Sequence, residues 1–228
     1  MGPSPPALVP GRIRAVVFDL DGTLVDSYAA IAASLNHARA VHGLPALPLG
    51  EVRRAVGHGL ESLIARYLGA DRVADGVRLF REEYARALDG GTVPCPGALS
   101  ALAELRARGF RLAVASNKPA SFSTRILENL GILPLLEAVL GPEAPLLPKP
   151  DPAMLRACLR VLGVEREEAL YVGDMVLDAE TAARAGVAVL LVQGGSSEAS
   201  ELRLTGQQVL EDLAGLVSLL PERPGFGS

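Results

Sequence analysis

The sequence predicts an α/β protein with a doubly wound parallel sheet as its core and an inserted helical cap domain. Two observations support this prediction. From about residue 98 onward, short runs rich in β-branched residues alternate with segments of helical period, as in right-handed βαβ units. A long segment behind the first such run has helical period only and contains no convincing strand. The second observation predicts a helical unit inserted after the first strand of the sheet.

The predicted core elements follow one another along the chain. The strands end in polar residues and are expected at Ile13–Asp19, Arg111–Ser116, Glu137–Gly141, Ala169–Asp174 and Ala188–Gln193. The helices between the later strands are expected at Ala98–Arg108, Ser121–Leu130, Pro152–Leu162 and Leu177–Ala185. Asp151 followed by Pro152 predicts an N-cap and a first helical position, and a glycine stands just past each helix.

Residues 26–92 are predicted to form the helical cap. Its helices are expected at Ala29–Val41, Leu49–Val56, Leu60–Leu68 and Arg72–Leu88. Turn-forming residues flank this segment on both sides, which predicts hinges. The remaining boundaries are a core at 12–25 and 93–220, and flexible tails at 1–11 and 221–228.

Composition excludes several classes of protein. The 228 residues are 49% hydrophobic, which predicts a globular chain, and the net charge of −4 disfavours nucleic acid as a partner. Cys95 and Cys158 are too few for a disulfide framework or a zinc site, so free thiols and a cytoplasmic location are expected. No apolar run is long enough to span a membrane. Composition leaves open whether the protein is a monomer or a homodimer.

Four aspartates at strand ends are the strongest indication of chemistry. Asp19 and Asp21 leave the first predicted strand together, and Asp174 and Asp178 follow a later one at the start of a helix. Carboxyl ends of parallel strands share one edge of the sheet, so these side chains should converge where such folds bind ligands. Hard carboxylate oxygens favour Mg²⁺. An EF-hand is excluded because its glycine and glutamate positions do not match.

Two lysines are the second indication. Lys118 and Lys149 are the only lysines in a chain with 20 arginines, and both stand near predicted strand ends. A compact ammonium grips a single phosphate oxygen in a narrow cleft where the wider guanidinium does not fit. Carboxylates with retained lysines therefore predict phosphate chemistry on a metal, although the two lysines could also be a chance residue of codon bias.

For several of these residues a purely structural role stays open as an alternative. Asp178 could be a simple charge at a helix start, and Ser116 could end a strand without contacting a ligand. Asp26 and Ser27 could cap the first cap helix instead of contacting substrate. The segment Gly57-His58-Gly59 is predicted to face the substrate through its backbone, or else to be a plain turn with an exposed histidine.

These motifs, in their order, resemble those of the haloacid dehalogenase (HAD) superfamily, whose core is a Rossmann-like sheet. The resemblance covers Arg14 to Gly195. The matching strings are Asp19-Leu20-Asp21-Gly22-Thr23, Ser116-Asn117-Lys118-Pro119, Lys149-Pro150 and Gly173-Asp174 with Asp178. Within the superfamily, Ser116–Pro119, Val56–Leu60 and Gln193–Gly195 look most like phosphoglycolate phosphatases. Met175 departs from the small residue usual after the last motif's aspartate.

The resemblance implies roles for the matched residues. Asp19 would be the nucleophile that forms an aspartyl-phosphate, and Asp21 the general acid and then general base. Ser116, Asn117 and Lys149 would bind the phosphoryl group. A Mg²⁺ ion would be bound by Asp19, the Asp21 carbonyl and Asp174, with Asp178 as a direct or indirect partner. The implied substrate is a small phosphorylated metabolite, 2-phosphoglycolate first.

Several competing functions are weighed against this one. A pyrophosphatase or another small-metabolite phosphatase of the same superfamily is the main alternative. A phosphonoacetaldehyde hydrolase or a β-phosphoglucomutase relative would be expected to use a cap lysine, and residues 26–92 contain none. Asp21 disfavours a dehalogenase, which needs no proton donor. A phospho-receiver or an inactive binding module is the least favoured reading, because of the inserted segment and the intact set of catalytic residue types.

Overall fold

The computed structural model describes residues 4–222 and contains a six-stranded parallel sheet. Its strands, in chain order, are β1 (Ala15–Phe18), β4 (Arg111–Ala115), β5 (Ala138–Leu140), β6 (Ala169–Gly173), β7 (Ala188–Val192) and β8 (Val209–Leu210). Across the sheet the order is β5-β4-β1-β6-β7-β8. Two further strands, β2 (Val25–Asp26) and β3 (Val93–Pro94), form a separate antiparallel ribbon. The predicted α/β class and parallel sheet are confirmed.

The five predicted strands are all present, each shorter than expected by one to three residues. The ribbon and β8 were not predicted. Each of these strands is only two residues long, so no alternation of apolar and polar residues exists to reveal it. The ribbon is formed where the chain leaves the core and returns to it, because Val25 pairs with Pro94 and Asp26 with Val93.

The core helices cover both faces of the sheet. They are α5 (Ala98–Ala107), α6 (Ala120–Asn129), α7 (Ala153–Leu162), α8 (Val176–Ala185), α9 (Ala199–Leu204) and α10 (Ala214–Leu219). The last two were not predicted. The start of α7 differs from the expectation: the helix begins at Ala153, after Pro152, and the Asp151 carboxylate accepts a hydrogen bond from the Ala153 N–H at 2.8 Å.

Alternate residues of the strands pack on opposite faces, as a doubly wound sheet requires. In β1, Val16 and Phe18 belong to the apolar cluster that continues into the cap, whereas Ala15 and Val17 pack into a second cluster with residues of α7 and α8. The buried alternation on both faces gives the strand ends a rigid base.

The helices between β2 and β3 are α1 (Tyr28–Val41), α2 (Leu49–Ala55), α3 (Leu60–Leu68) and α4 (Val73–Ala87). They agree with the four predicted cap helices to within one residue at each end. The exact boundaries of cap and core stay a prediction. Of the predicted tails, residues 1–3 and 223–228 lie outside the described residues, and a short 3₁₀ turn spans Pro10–Arg12.

Both cysteines are free thiols, as predicted. Burial raises the pKa of Cys95 and of Cys158 to about 12, so neither is a reactive thiolate. No helix within residues 4–222 is long and apolar enough to cross a membrane. The cytoplasmic location and the oligomeric state stay predictions.

Candidate active site

Strand β1 lies where the order of the sheet reverses. Its neighbours are β4 on one side and β6 on the other, and crevices of this kind bind ligands in doubly wound sheets. Asp19 follows β1, Ser116 follows β4 and Asp174 follows β6. Three predicted site residues therefore lie at adjacent strand ends, because the parallel register aligns β1 with both neighbours.

Lys149 joins two of the predicted carboxylates. Its Nζ lies 2.9 Å from Asp19 Oδ2 and 2.7 Å from Asp178 Oδ1, and it contacts the Tyr171 hydroxyl at 3.2 Å. The Lys149 side chain is only 1% exposed. Burial alone would lower the pKa of Lys149, but the charges of Asp178 and Asp19 outweigh it, so the pKa lies above its usual value and the ammonium stays charged.

Asp178 accepts hydrogen bonds on both of its oxygens. Oδ1 accepts from Lys149 and from the Tyr171 hydroxyl, and Oδ2 accepts from the Met175 N–H at 3.0 Å. The last contact caps the start of α8, as the alternative reading of Asp178 required, but the contact with Lys149 adds a second task. Asp178 thus orients Lys149 as well as capping a helix.

Asp174 is fully buried and held on both sides. Its Oδ1 accepts from the Thr23 hydroxyl at 2.9 Å and its Oδ2 from the Ser196 N–H at 2.7 Å. Burial, followed by the nearby charges of Asp178 and Asp19, raises the pKa of Asp174 well above its usual value. The negative charges of the three carboxylates therefore repel one another, and the hydrogen bonds to Asp174 do not offset this repulsion. We call Asp19, Lys149, Asp174 and Asp178 the strand-end floor.

The strand-end floor has the composition of a site for a hard divalent cation. Oxygens of Asp19, Asp174 and Asp178 all lie within 4.8 Å of one another. Asp19 Oδ1 is buried and has no hydrogen-bond partner within residues 4–222, which is costly unless another group binds it. With Asp21 included, the four site aspartates exceed the two lysines by two negative charges. These residues fit a Mg²⁺ ion in charge and in ligand type.

Asp21 lies beside the floor and has different partners. Its Oδ1 accepts a short hydrogen bond from the Ser27 hydroxyl, and its Oδ2 lies 3.0 Å from Lys118 Nζ. Ser27 stands at the N-cap position of α1, but its side chain makes no capping hydrogen bond, and its hydroxyl orients Asp21 instead. Asp26 has the structural role, because it accepts from the Tyr28 N–H at 3.2 Å and pairs with Arg53 of the cap at 2.8 Å.

Ser116 and Asn117 connect three parts of the site. Asn117 donates from Nδ2 to the carbonyls of Gly57 at 2.9 Å and Lys149 at 3.2 Å, and its Oδ1 accepts from the Lys149 N–H at 2.7 Å. The Ser116 hydroxyl is buried and accepts from the Lys118 N–H at 3.4 Å. The Asn117 side chain therefore fixes the backbone of Lys149 and ties the cap to the core.

The cap contributes the segment from Gly57 to Gly59, between α2 and α3. Both glycines line the cavity and have positive φ values of 115° and 91°, whereas the His58 side chain is exposed and is not among the residues that line it. Met175 packs so closely over Gly57 that a Cβ there would lie 2.1 Å from its sulfur. This segment can reach a ligand through its backbone, whereas the His58 side chain does not line the cavity.

One cavity of about 60 Å³ brings the site together. Polar groups of Asp19, Asp21, Ser116, Asn117 and the two lysines line one part of it. The remaining lining is apolar or aromatic and comes mostly from the cap; we call it the apolar wall: Ile31, Val56, Leu60, Leu63, Phe80, Tyr84, Pro119 and Phe122.

The model of the haloacid dehalogenase-like hydrolase family matches residues 16–192, which include every strand-end residue of the site. The chain belongs to this family. The predicted HAD resemblance is confirmed, and the fold of its solved members agrees with the six-stranded sheet.

Relatives of this HAD hydrolase include enzymes named phosphoglycolate phosphatase. The one from Rhodospirillum rubrum is 40% identical over 89% of both chains. The one from Mesorhizobium japonicum is 34% identical over 91% of this chain and 95% of its own. A crystal structure described as a predicted phosphoglycolate phosphatase of Haemophilus somnus has a TM-score of 0.86 at 28% identity and covers 91% of this chain and 98% of its own.

A HAD family hydrolase from Deinococcus radiodurans was crystallised with bound phosphate and sodium. Its TM-score is 0.74 at 26% identity, with 93% of this chain and all of that chain covered. The chain described here is therefore a hydrolase similar to phosphoglycolate phosphatases.

Several residues of this HAD hydrolase site were not predicted. Tyr171 and Ser196 hold floor carboxylates, and Tyr84 of α4 contacts Lys118. Thr23 belongs to the Asp19–Thr23 motif and donates to Asp174. Its place in that motif was the one signal in the sequence for this contact. Nothing in the sequence could have indicated Tyr84, because a tyrosine within a helical period is expected to be an ordinary core residue.

Proposed function

We propose that this hydrolase cleaves small phosphomonoesters, with 2-phosphoglycolate as its principal substrate, through an aspartyl-phosphate on Asp19 and with Mg²⁺ as cofactor. The observation that carries the proposal is the state of Asp19. One of its oxygens is held by Lys149 at 2.9 Å, while the other is buried at the cavity and has no hydrogen-bond partner in the part of the chain that the structure describes. A carboxylate oriented through one oxygen and open at the other is suited to nucleophilic attack.

The first step of the proposed reaction forms the covalent intermediate. An Asp19 oxygen attacks the phosphorus, a new O–P bond forms, and the bond from phosphorus to the ester oxygen breaks. Asp21 in its protonated form gives its proton to that oxygen, and the alcohol leaves. The Ser27 hydroxyl and Lys118 orient Asp21 for this transfer.

The second step regenerates the enzyme. A water molecule attacks the phosphorus of the aspartyl-phosphate and gives a proton to Asp21, now a carboxylate. The bond from phosphorus to Asp19 breaks, and inorganic phosphate leaves. One residue serves as acid and then as base because the first step leaves it deprotonated.

Charge on the phosphoryl oxygens would be stabilised by Lys149, Ser116 and the backbone N–H of Asn117. Lys149 is suited to this task because Asp178 and Tyr171 fix its ammonium before any substrate enters. Asp19, Asp174 and the Asp21 carbonyl would hold the Mg²⁺ ion, with Asp178 beside them. When bound, this ion would neutralise phosphoryl charge and hold the substrate in place.

The proposed substrate rests on relatives and on the size of the site. Phosphoglycolate phosphatases are similar to this chain over about nine tenths of its length. A cavity of about 60 Å³ favours a small ester. Gly57, His58 and Gly59 are proposed to contribute recognition through their backbone, since two of the three line the cavity.

The test of this mechanism is the variant Asp19→Asn, assayed with 2-phosphoglycolate and Mg²⁺. Turnover should fall by about 10³-fold or more, because the amide cannot replace the attacking oxygen. Asp151→Asn is the matched control. Asp151 follows the site residue Lys149 by two positions, but among the described residues its carboxylate accepts only from the Ala153 N–H. Asp19→Asn activity within tenfold of the wild type would refute the nucleophile.

A further inference from the structure

Lys118 has more contacts than its proposed role of orienting Asp21 requires. Its side chain is 7% exposed, and its Nζ lies 3.0 Å from Asp21 Oδ2 and 2.9 Å from the Tyr84 hydroxyl. The ammonium also lies 4.6 Å from the centre of the Tyr84 ring. Removing this ammonium from water costs free energy that its contacts with a core carboxylate and a cap tyrosine need not recover. Structural support alone therefore does not explain why a lysine is buried here.

The ammonium keeps bonding capacity for a ligand. It has three N–H donors, and the described residues provide acceptors for two of them, Asp21 and the Tyr84 hydroxyl. Lys118 lines the cavity. A third donor is therefore free for an acceptor that enters with the substrate.

The surroundings make this ammonium selective. Among the residues that line the cavity, Lys118 and Lys149 are the only cations, and Lys149 already pairs with Asp19 and Asp178. The apolar wall carries no positive charge. A negative group on the leaving side of the substrate would find a further opposite charge only beside Lys118.

The position of Lys118 limits which anion it could reach. Asp21 is the proposed proton donor to the ester oxygen, and Lys118 lies 3.0 Å from it. An anion read by Lys118 must therefore be attached within a few bonds of that oxygen. A carboxylate one methylene away satisfies this condition, and so does a second phosphoryl group attached directly.

We propose that Lys118 is a specificity-determining residue that binds a second anionic group of the substrate, either a carboxylate or a second phosphoryl group. Tyr84 holds the ammonium in place through its hydroxyl and its ring. Its own ring packs against Phe80 of the cap at 5.3 Å and Phe122 of the core at 5.1 Å, so the recognition site exists when cap and core are together. This inference rests on the proposed hydrolysis of phosphate esters at Asp19.

The experiment compares substrates that differ in the second anion. Wild type and Lys118→Met are assayed with 2-phosphoglycolate, pyrophosphate and ethyl phosphate, which has a small uncharged leaving group. The readout is the ratio of kcat/KM for each anionic substrate to kcat/KM for ethyl phosphate. In Lys118→Met, loss of a buried charge contact should lower this ratio about thirtyfold or more. The substrate whose ratio falls identifies the anion as a carboxylate or a phosphoryl group.

Two further variants separate recognition from support of Asp21. Lys118→Arg keeps the charge and should retain more of the ratio than Lys118→Met. Tyr84→Phe keeps the ring but removes the hydroxyl and should lower the ratio only severalfold. An equal loss with all three substrates would overturn the proposal, because Lys118 would then serve Asp21 alone.

Failure of the inference is distinguishable from failure of the proposed function. A wild type that hydrolyses ethyl phosphate without preferring either anionic substrate refutes the inference and leaves the phosphatase intact. An unchanged ratio in Lys118→Met has the same meaning. A wild type that hydrolyses none of the three substrates refutes the proposed function itself.

Discussion

The two lysines of this chain stand in one cavity but in different surroundings. Lys149 is held by Asp19, Asp178 and Tyr171, all of which belong to the core. Lys118 is held by Asp21 of the core and Tyr84 of the cap. The first environment is complete without the cap, whereas the second is formed only where the two parts meet.

This difference separates two tasks. The strand-end floor is preorganised because Asp19 and Asp174 directly follow strands that are buried on both faces. Asp178, in α8, is fixed instead by its hydrogen bonds. A preorganised floor suits the proposed phosphoryl chemistry, which gains most from fixed charges. The boundary between cap and core lies beside that floor, so a change there can alter which leaving group is bound without displacing the fixed charges.

Replacing each lysine by arginine should have the largest effect that distinguishes the two sites. In Lys149→Arg, the wider guanidinium cannot fit between Asp19 and Asp178, and kcat/KM should fall about 10²- to 10³-fold for every phosphate ester. In Lys118→Arg the loss should be smaller and should depend on the substrate. Steady-state kinetics with 2-phosphoglycolate and ethyl phosphate measure both variants. Matching losses in the two variants would show that the lysines share one task.

The two downstream aspartates offer a second contrast, this time within the floor. Asp178 is bonded to Lys149, Tyr171 and the Met175 N–H, whereas the Asp174 carboxylate has no ammonium partner among the described residues. Asp174→Asn should therefore raise the Mg²⁺ concentration for half-maximal activity about a hundredfold, and Asp178→Asn only about tenfold.

Isothermal titration with Mg²⁺ alone provides a check that does not depend on turnover. Asp178→Asn should instead show the larger rise in KM for substrate, since it loosens Lys149. A larger shift in Mg²⁺ affinity for Asp178→Asn than for Asp174→Asn would identify Asp178 as the closer ligand. Activity that does not depend on added Mg²⁺ would refute the proposed cofactor.

The smallest expected effect concerns the contact between cap and floor. Gly57 and Gly59 both have positive φ values, so alanine at either should cost about 1–3 kcal/mol of stability. The two positions differ in the room available for a side chain. A Cβ at Gly57 would lie 2.1 Å from Met175 Sδ, while one at Gly59 would meet none of the described atoms within 4 Å. Gly57→Ala should therefore lower kcat/KM about tenfold further than Gly59→Ala, because the cap is displaced from the floor.

Gly59→Ala is the control for backbone strain, and thermal melting of both variants checks that their stabilities match. If Gly57→Ala and Gly59→Ala have the same kcat/KM, the packing of Met175 on Gly57 has no part in closing the site.

Residue types and their spacing determined much of this protein in advance. The five longer strands, the cap helices and the position of Asp19, Ser116 and Asp174 at neighbouring strand ends all follow from local pattern. The spacing of apolar residues determines which segments form helices and which form strands. A parallel sheet then brings the carboxyl ends of its strands to one edge. The HAD motifs agreed with that pattern at each strand end.

Tertiary structure alone decided which groups contact one another. Lys118 meets Asp21 and Tyr84, which are far away in sequence, and Asn117 reaches the carbonyl of Gly57 across the boundary of cap and core. His58, expected at the substrate-facing loop, has an exposed side chain outside the cavity lining, while both neighbouring glycines line it. Sequence period records which face of an element is buried, but not which distant side chain packs there, because that depends on how whole elements pack.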